Sequence, residues 1–304
     1  MSPAPRRRTC AHMIVHELLA ETKPEYRGYR LKVEEETRRS IDSGDAMRVA
    51  KKLITIPTVV HVVYRSDGEN ISDAQVKSQI KALNDDFRAK NADKSKVPAV
   101  WKGLVTDSKI QFALATKSPR GKKTNGITRT ATTVGSFGPD DTVKSKQTGG
   151  VNPWPTQRYL NIWVCSLGGG LLGYGQFPGG PAATDGVVIL NTAFGTKGTA
   201  AAPFNKGRTA THEVGHFLNL RHIWGDRNDC SGTDFVADTP AAEQANVGKP
   251  KFPQITCNNG PDGDMFMNYM DYVDDAAMVM FTVGQVARMN ATLSGPRKKL
   301  ARLR

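Results

Sequence analysis

The segment Thr211-His212-Glu213-Val214-Gly215-His216-Phe217-Leu218-Asn219-Leu220-Arg221-His222 restricts this chain more than any other stretch of it. Residues four apart on an α-helix share a face, so His212 and His216 can present both imidazoles to one ion. His222 follows six residues after His216, too far to reach the same point if the helix simply continues. The backbone must therefore turn sharply between them. Such a turn needs positive φ, for which glycine is the usual residue and asparagine the best common substitute, and Asn219 stands at the required place.

Glu213 lies beside the histidine pair, placed to orient and deprotonate a water whose pKa a zinc ion lowers toward neutrality. Three imidazoles with one open position describe a catalytic zinc site, since a structural zinc is normally closed by a fourth protein ligand. An ordinary amphipathic helix explains two histidines at helical spacing, but not the third. A descendant that kept the ligands and lost turnover stays open, although Glu213 is present. Downstream, residues 265–275 read MFMNYMDYVDD, with Met270 in a turn-prone setting and Tyr272 two residues on. Core filling would account for a lone methionine. After a zinc helix, the stretch looks like a Met-turn, with Met270 as an apolar floor under the imidazoles and Tyr272 as a hydrogen-bond donor to the oxyanion.

With 304 residues there is room for one large domain and an appendage. Residues 9–48 read as helical and charged, a peripheral segment. A β-branched strand over 54–64 then opens the main domain. Ser72 is placed to cap a helix over 75–88 whose Val76, Ile80, Leu83 and Phe87 share a face. Strands follow over 109–116, 159–165 and 186–191, with helices over 208–220 and 283–293. The stretch 168–180 is so rich in glycine that it reads as loop. This order implies a mixed α+β domain.

The formal charge of +13 suits a nucleic-acid partner, an anionic surface or a basic soluble protein. Much of it sits at the ends, in Arg6, Arg7 and Arg8 and in Arg297, Lys298, Lys299, Arg302 and Arg304, which reads as solvated termini. Nucleic-acid binding is the rival from another class and says nothing about the histidines. No stretch approaches the roughly 18 apolar residues of a membrane span. No apolar core follows the basic start either, so no signal peptide is visible. Of four cysteines, Cys230 and Cys257 flank a loop rich in Asp, Gly, Pro and Asn. A bridge there would restrict the unfolded chain by roughly 3 kcal/mol and fits an oxidising compartment. Cys165 reads as a buried core residue.

Several landmarks resemble the pappalysin family of metzincin proteases, and more closely its small ulilysin-like members. They are VVHVVYR at 59–65, NISDAQVKSQIKALNDDFRAKN at 70–91, LNIWVCSLGGGLLGYGQFPGG at 160–180, IWGD at 223–226, VADTP at 236–240, NYMDY at 268–272 and FTVGQVARM at 281–289. The resemblance implies a twisted mixed sheet with two long helices above a cleft and a small irregular C-terminal subdomain with the Met-turn. It divides the chain into an N-terminal pro-segment, 1–52, and a catalytic domain, 53–304, whose upper part ends near 222. It implies a secreted zinc endopeptidase acting on proteins or peptides, made as a latent zymogen in which Cys10 binds the zinc. Activation would cut near Arg38 and Arg39 or within 48–52. It further implies calcium in the loop after the zinc helix, for which Asp234, Asp238, Thr239 and Glu243 supply oxygens. Finally it implies a preference for a basic residue after the scissile bond, read by acidic groups, with Asp274 and Asp275 as candidates and Ala276 where an acid is expected.

Overall fold

The computed structural model describes residues 5, 7–46 and 52–303. Two helices open it, α1 (His12–Thr22) and α2 (Pro24–Asp42). Then comes an 11-residue strand, β1 (Ile54–Tyr64), followed by α3 (Asp73–Phe87). Four more strands, β2 (Ile110–Leu114), β3 (Ile127–Ala131), β4 (Leu160–Cys165) and β5 (Gly173–Gly175), lead to β6 (Val187–Leu190). The helix carrying His212 and His216, α4, spans Arg208–Phe217. Beyond it the chain is largely irregular, with a short parallel pair of β7 (Val247–Gly248) and β8 (Tyr272–Val273), then α5 (Val283–Ser294) and a final β9 (Arg302–Leu303).

The main sheet is mixed and runs in the order β2-β1-β4-β6-β5. The long β1 serves two neighbours on one side, pairing with β2 through its first half and with β3 through its second. Neighbours along the path are parallel except β5, which runs antiparallel to β6. A period of two explains the layering. Ile54, Ile56, Val60 and Val62 join Leu160, Ile162, Val164, Val187 and Ile189 in one core with α3 and α4, while Val63, Trp163, Cys165, Val188 and Leu190 face the other. Both faces are covered, so β4 and β6 read as continuous apolar runs. Val76, Ile80, Leu83 and Phe87 do share the buried face of α3, and Ser72 accepts from the amide of Gln75 at 3.1 Å.

Three expectations need correction. The N-terminal stretch is not peripheral, because Ala11, Val15, Leu19 and Tyr26 complete the second core. The stretch 168–180 is not all loop. Gly173–Gly175 forms the edge strand, and glycine is needed there because a Cβ on Gly173 would stand 2.7 Å from the Val188 carbonyl. The basic ends are not uniformly solvated either. Arg8 is buried against Asp275, and Arg297 pairs with Asp185 while lying over the Phe217 ring. Arg7, Lys298 and Lys299 are exposed, and Arg6 and Arg304 lie outside the described residues. Among the described residues no helix is long and apolar enough to cross a membrane.

One buried histidine gives the fold a pH dependence. His61 on β1 hydrogen-bonds Thr128 Oγ1 at 2.7 Å and Asn161 Oδ1 at 2.9 Å. Burial pushes it from the ordinary 6.5 down to about 4, with the Asn161 bond opposing. Folded His61 is therefore neutral while the unfolded chain takes up a proton below about 6.5, so the stability is complete above that pH and is lost on the way down to 4. The shift corresponds to about 3 kcal/mol. Urea midpoints at pH 7 and pH 4 should therefore differ less for His61→Gln than for the unsubstituted chain; equal differences would contradict the assignment.

Candidate metal centre and active site

Helix α4 ends in the hydrogen-bond pattern that a left-handed residue closes. Asn219, at φ 74°, donates its amide to the His216 carbonyl at 2.9 Å, and the Leu220 amide reaches the Gly215 carbonyl at 2.9 Å. The chain reverses there and brings His222 back. The three Nε2 atoms of His212, His216 and His222 stand 3.1, 3.1 and 3.2 Å apart, all buried.

The outer nitrogens settle the tautomers. His212 Nδ1 meets the Tyr269 carbonyl at 2.7 Å, and His216 Nδ1 meets the Leu220 carbonyl at 2.8 Å. Because a carbonyl only accepts, both Nδ1 atoms carry the proton and both Nε2 atoms offer lone pairs. The Asp226 carboxylate does the same for His222. Burial, then the neighbouring imidazoles, pushes His212 and His216 well below 6.5, which keeps them neutral. Three acceptors aimed at one point cannot bond one another. A cation satisfies all three, and a tetrahedral ion at roughly 2.0–2.1 Å from nitrogen would hold its ligands roughly 3.3 Å apart. The residues fit such an ion.

Cys10 brings its thiol beside the three imidazoles. Its Sγ and the three Nε2 atoms lie within 4.8 Å of one another, and this is the one group of metal-type ligands among the described residues. The segment carrying it lies along the sheet margin: the Leu172 amide reaches the Thr9 carbonyl at 3.0 Å, and the Ala11 amide reaches the Gly173 carbonyl at 3.1 Å. The Cys10 thiol donates to Glu213 Oε2 at 3.3 Å. Burial pushes Glu213 up to about 8. The Tyr272 hydroxyl donates to the Cys10 carbonyl at 3.3 Å. Met270 is fully buried against α4, and a Cβ on Gly215 would stand 2.4 Å from its sulfur. Glycine at 215 thus lets the methionine pack closely against the helix that carries His212 and His216.

Two residues before Cys10, Arg8 is buried with its guanidinium 2.6 Å from Asp275, 3.0 Å from Thr209 Oγ1 and 5.0 Å from the Phe204 ring centre. Two residues after it, His12 stacks on His216 at 3.9 Å.

Residues 144–294 match the peptidase M43 family model, described as pregnancy-associated plasma protein-A. An extracellular metalloprotease of Arthroderma benhamiae is 33% identical over 78% of this chain and 76% of its own length. One of Pyricularia oryzae is 34% identical over 82% and 78%. The chain belongs to the pappalysin metalloproteases. Two solved structures from Tannerella forsythia extend this. A promirolysin variant matches with TM-score 0.88 and 47% identity over 96% of this chain and 97% of its own. Mature mirolysin in complex with a cleaved peptide matches with TM-score 0.80 and 53% identity over 81% and 95%. The mixed sheet and helices of this pappalysin are thus the metzincin fold, and the chain is a metalloprotease.

Other nominated residues divide. Cys230 and Cys257 form a disulfide, with Cα atoms 5.4 Å apart. Thr239 donates to Asp234 Oδ2 at 2.8 Å, but Asp238 is spent on the start of α5, accepting from Thr282 Oγ1 at 2.6 Å and the Gly284 amide at 2.8 Å. Glu243 is exposed. Asp234, Asp238 and Glu243 do not group as metal-type ligands among the described residues. Sequence reasoning missed Asp226 as the partner of His222, although it closes the IWGD landmark four residues on. It also missed Arg8, whose signal was only its closeness to Cys10.

Proposed function

We propose that this pappalysin is a secreted zinc endopeptidase whose metal is held by His212, His216 and His222, with Glu213 as general base. The convergence of three proton-free imidazole nitrogens carries this reading. Zinc suits a neutral nitrogen set with room for one sulfur or oxygen, and when bound it would supply Lewis acidity toward the scissile carbonyl and acidify a water. Glu213 takes the proton from that water and passes it to the leaving amine. Tyr272, once released from the Cys10 carbonyl, donates to the oxyanion, and Met270 floors the imidazoles.

In this reading residues 1–52 form a pro-segment and 53–304 the catalytic domain, with the upper part ending near 222 and the lower part following. Cys10 is the fourth zinc donor of the latent state. Support comes from the promirolysin variant matching 96% of the chain where the mature form matches 81%. Arg38 and Arg39 are exposed on α2, as a cleavage site requires, while 48–51 lie outside the described residues. Calcium is not part of the proposal, because Asp234, Asp238 and Glu243 do not group as metal-type ligands among the described residues.

Substrates are proteins or peptides, as the cleaved peptide on mature mirolysin supports. The Arg8 site argues for a basic residue after the scissile bond, with Asp275 as its counter-charge. Removing one partner of a buried charge pair costs roughly 2–5 kcal/mol. Asp275→Asn should thus lower kcat/KM roughly 30-fold or more for peptides with Arg after the cleaved bond, and far less for Leu. An equal loss for both would reject the pocket, and no hydrolysis by the zinc-loaded, processed chain would reject the protease reading.

A further inference from the structure

The second helix of the N-terminal segment carries a carboxylate into a group of guanidiniums. Glu34 on α2 accepts from Arg30 Nη2 at 2.8 Å through one oxygen and from Arg288 Nη2 at 2.8 Å through the other. Arg288 lies on α5, is buried, and also donates to the Asn219 carbonyl at 3.2 Å. Arg221, next to His222, holds its guanidinium 4.9 Å from the Phe235 ring centre and 5.7 Å from that of Phe177. Its Nε is buried without a hydrogen-bond partner among the described residues. The charges of Arg288, Arg30 and Arg221 hold the Glu34 carboxyl below the usual range against the opposing effect of burial.

Arg30 and Glu34 share a helix and leave together if the segment is released. Arg288 then loses its ion pair, the one it forms among the described residues, and stands within electrostatic range of Arg221, the two keeping only the charges of Asp234 and Asp226 nearby, neither of which ion-pairs with them. Two guanidiniums left so close repel and favour an anion. The place is within reach of the cleft. Phe177 lies under Arg30 at 4.2 Å and touches His12 at 3.8 Å, and His12 stacks on His216. Along the segment this is the side of Cys10 opposite Arg8.

We propose that Arg221 and Arg288 form a carboxylate subsite, filled by Glu34 in the latent chain and by an acidic side chain of the substrate in the processed enzyme. If Arg8 marks the position after the scissile bond, the acid belongs among the residues before it. The favoured substrate is then acidic before the bond and basic immediately after it. The inference rests on the protease reading and on release of the segment.

The test uses full chain processed to its active form and a peptide series in which a single Glu, or Gln, moves through the positions before the cleaved bond. At one position Glu should raise kcat/KM over Gln at least about fivefold at low salt, as a charge-assisted pair predicts. The gain should shrink in 0.5 M salt, as roughly a threefold shorter screening length requires. It should also vanish in both Arg288→Gln and Arg221→Gln. Equal rates for Glu and Gln at every position, in peptides that are cut, would overturn the subsite and leave the protease reading intact. Cleavage of none of the peptides would remove both.

Discussion

Glu213→Ala should lower peptide hydrolysis by roughly 10²–10⁴-fold, the usual contribution of a general base, while bound zinc stays at the level of the unsubstituted chain. The separation of the two readouts follows from the site. The three imidazoles are oriented through their outer nitrogens by Tyr269, Leu220 and Asp226, and none depends on Glu213. Metal analysis and initial rates on the same processed preparation check the result. A variant of undiminished activity would show that another group takes the proton.

The second large effect concerns Cys10. In full-length chain, Cys10→Ala should raise activity by at least roughly tenfold before any processing, since each 1.4 kcal/mol lost from the segment's hold is a tenfold change in the open population. In the proposed latent state the sulfur is the fourth donor, and its thiol also donates to Glu213 Oε2. Alanine frees both. The segment would remain partly held, because Arg8 keeps Asp275 and Glu34 keeps Arg288, so activity should stay below that of the processed enzyme. Rates of uncleaved Cys10→Ala that match those of uncleaved native chain would place latency elsewhere, in Arg8 or α2.

Local chemistry was legible in the sequence. The convergence at His212, His216 and His222 follows from helical period plus one residue able to take positive φ, all within eleven positions. Helix α3 could be read because its cap, at Ser72, and its apolar face are both short-range patterns. Partners far apart in the chain were not legible. Nothing near Arg8 signals that its counter-charge is Asp275, 267 residues away. Strand β5 was hidden for a different reason: Gly-Tyr-Gly has little alternation to read, and what defines it is the space its neighbours leave. The partners of Asp238 were not legible either, because its oxygens are turned to Thr282 and Gly284 at the start of α5, 44 and 46 residues on.

The run of Thr9 to Ala11 along β5 does more than hold Cys10 in place. A strand at the end of a sheet offers unpaired amides and carbonyls to any passing backbone, which is how sheets of separate molecules stick together. Here the chain stitches its own first residues onto that border. In the proposed latent chain, the hydrogen bonds that hold Cys10 beside the imidazoles would therefore also cover a border open to other backbones. Removal of the segment would uncover that border together with the site.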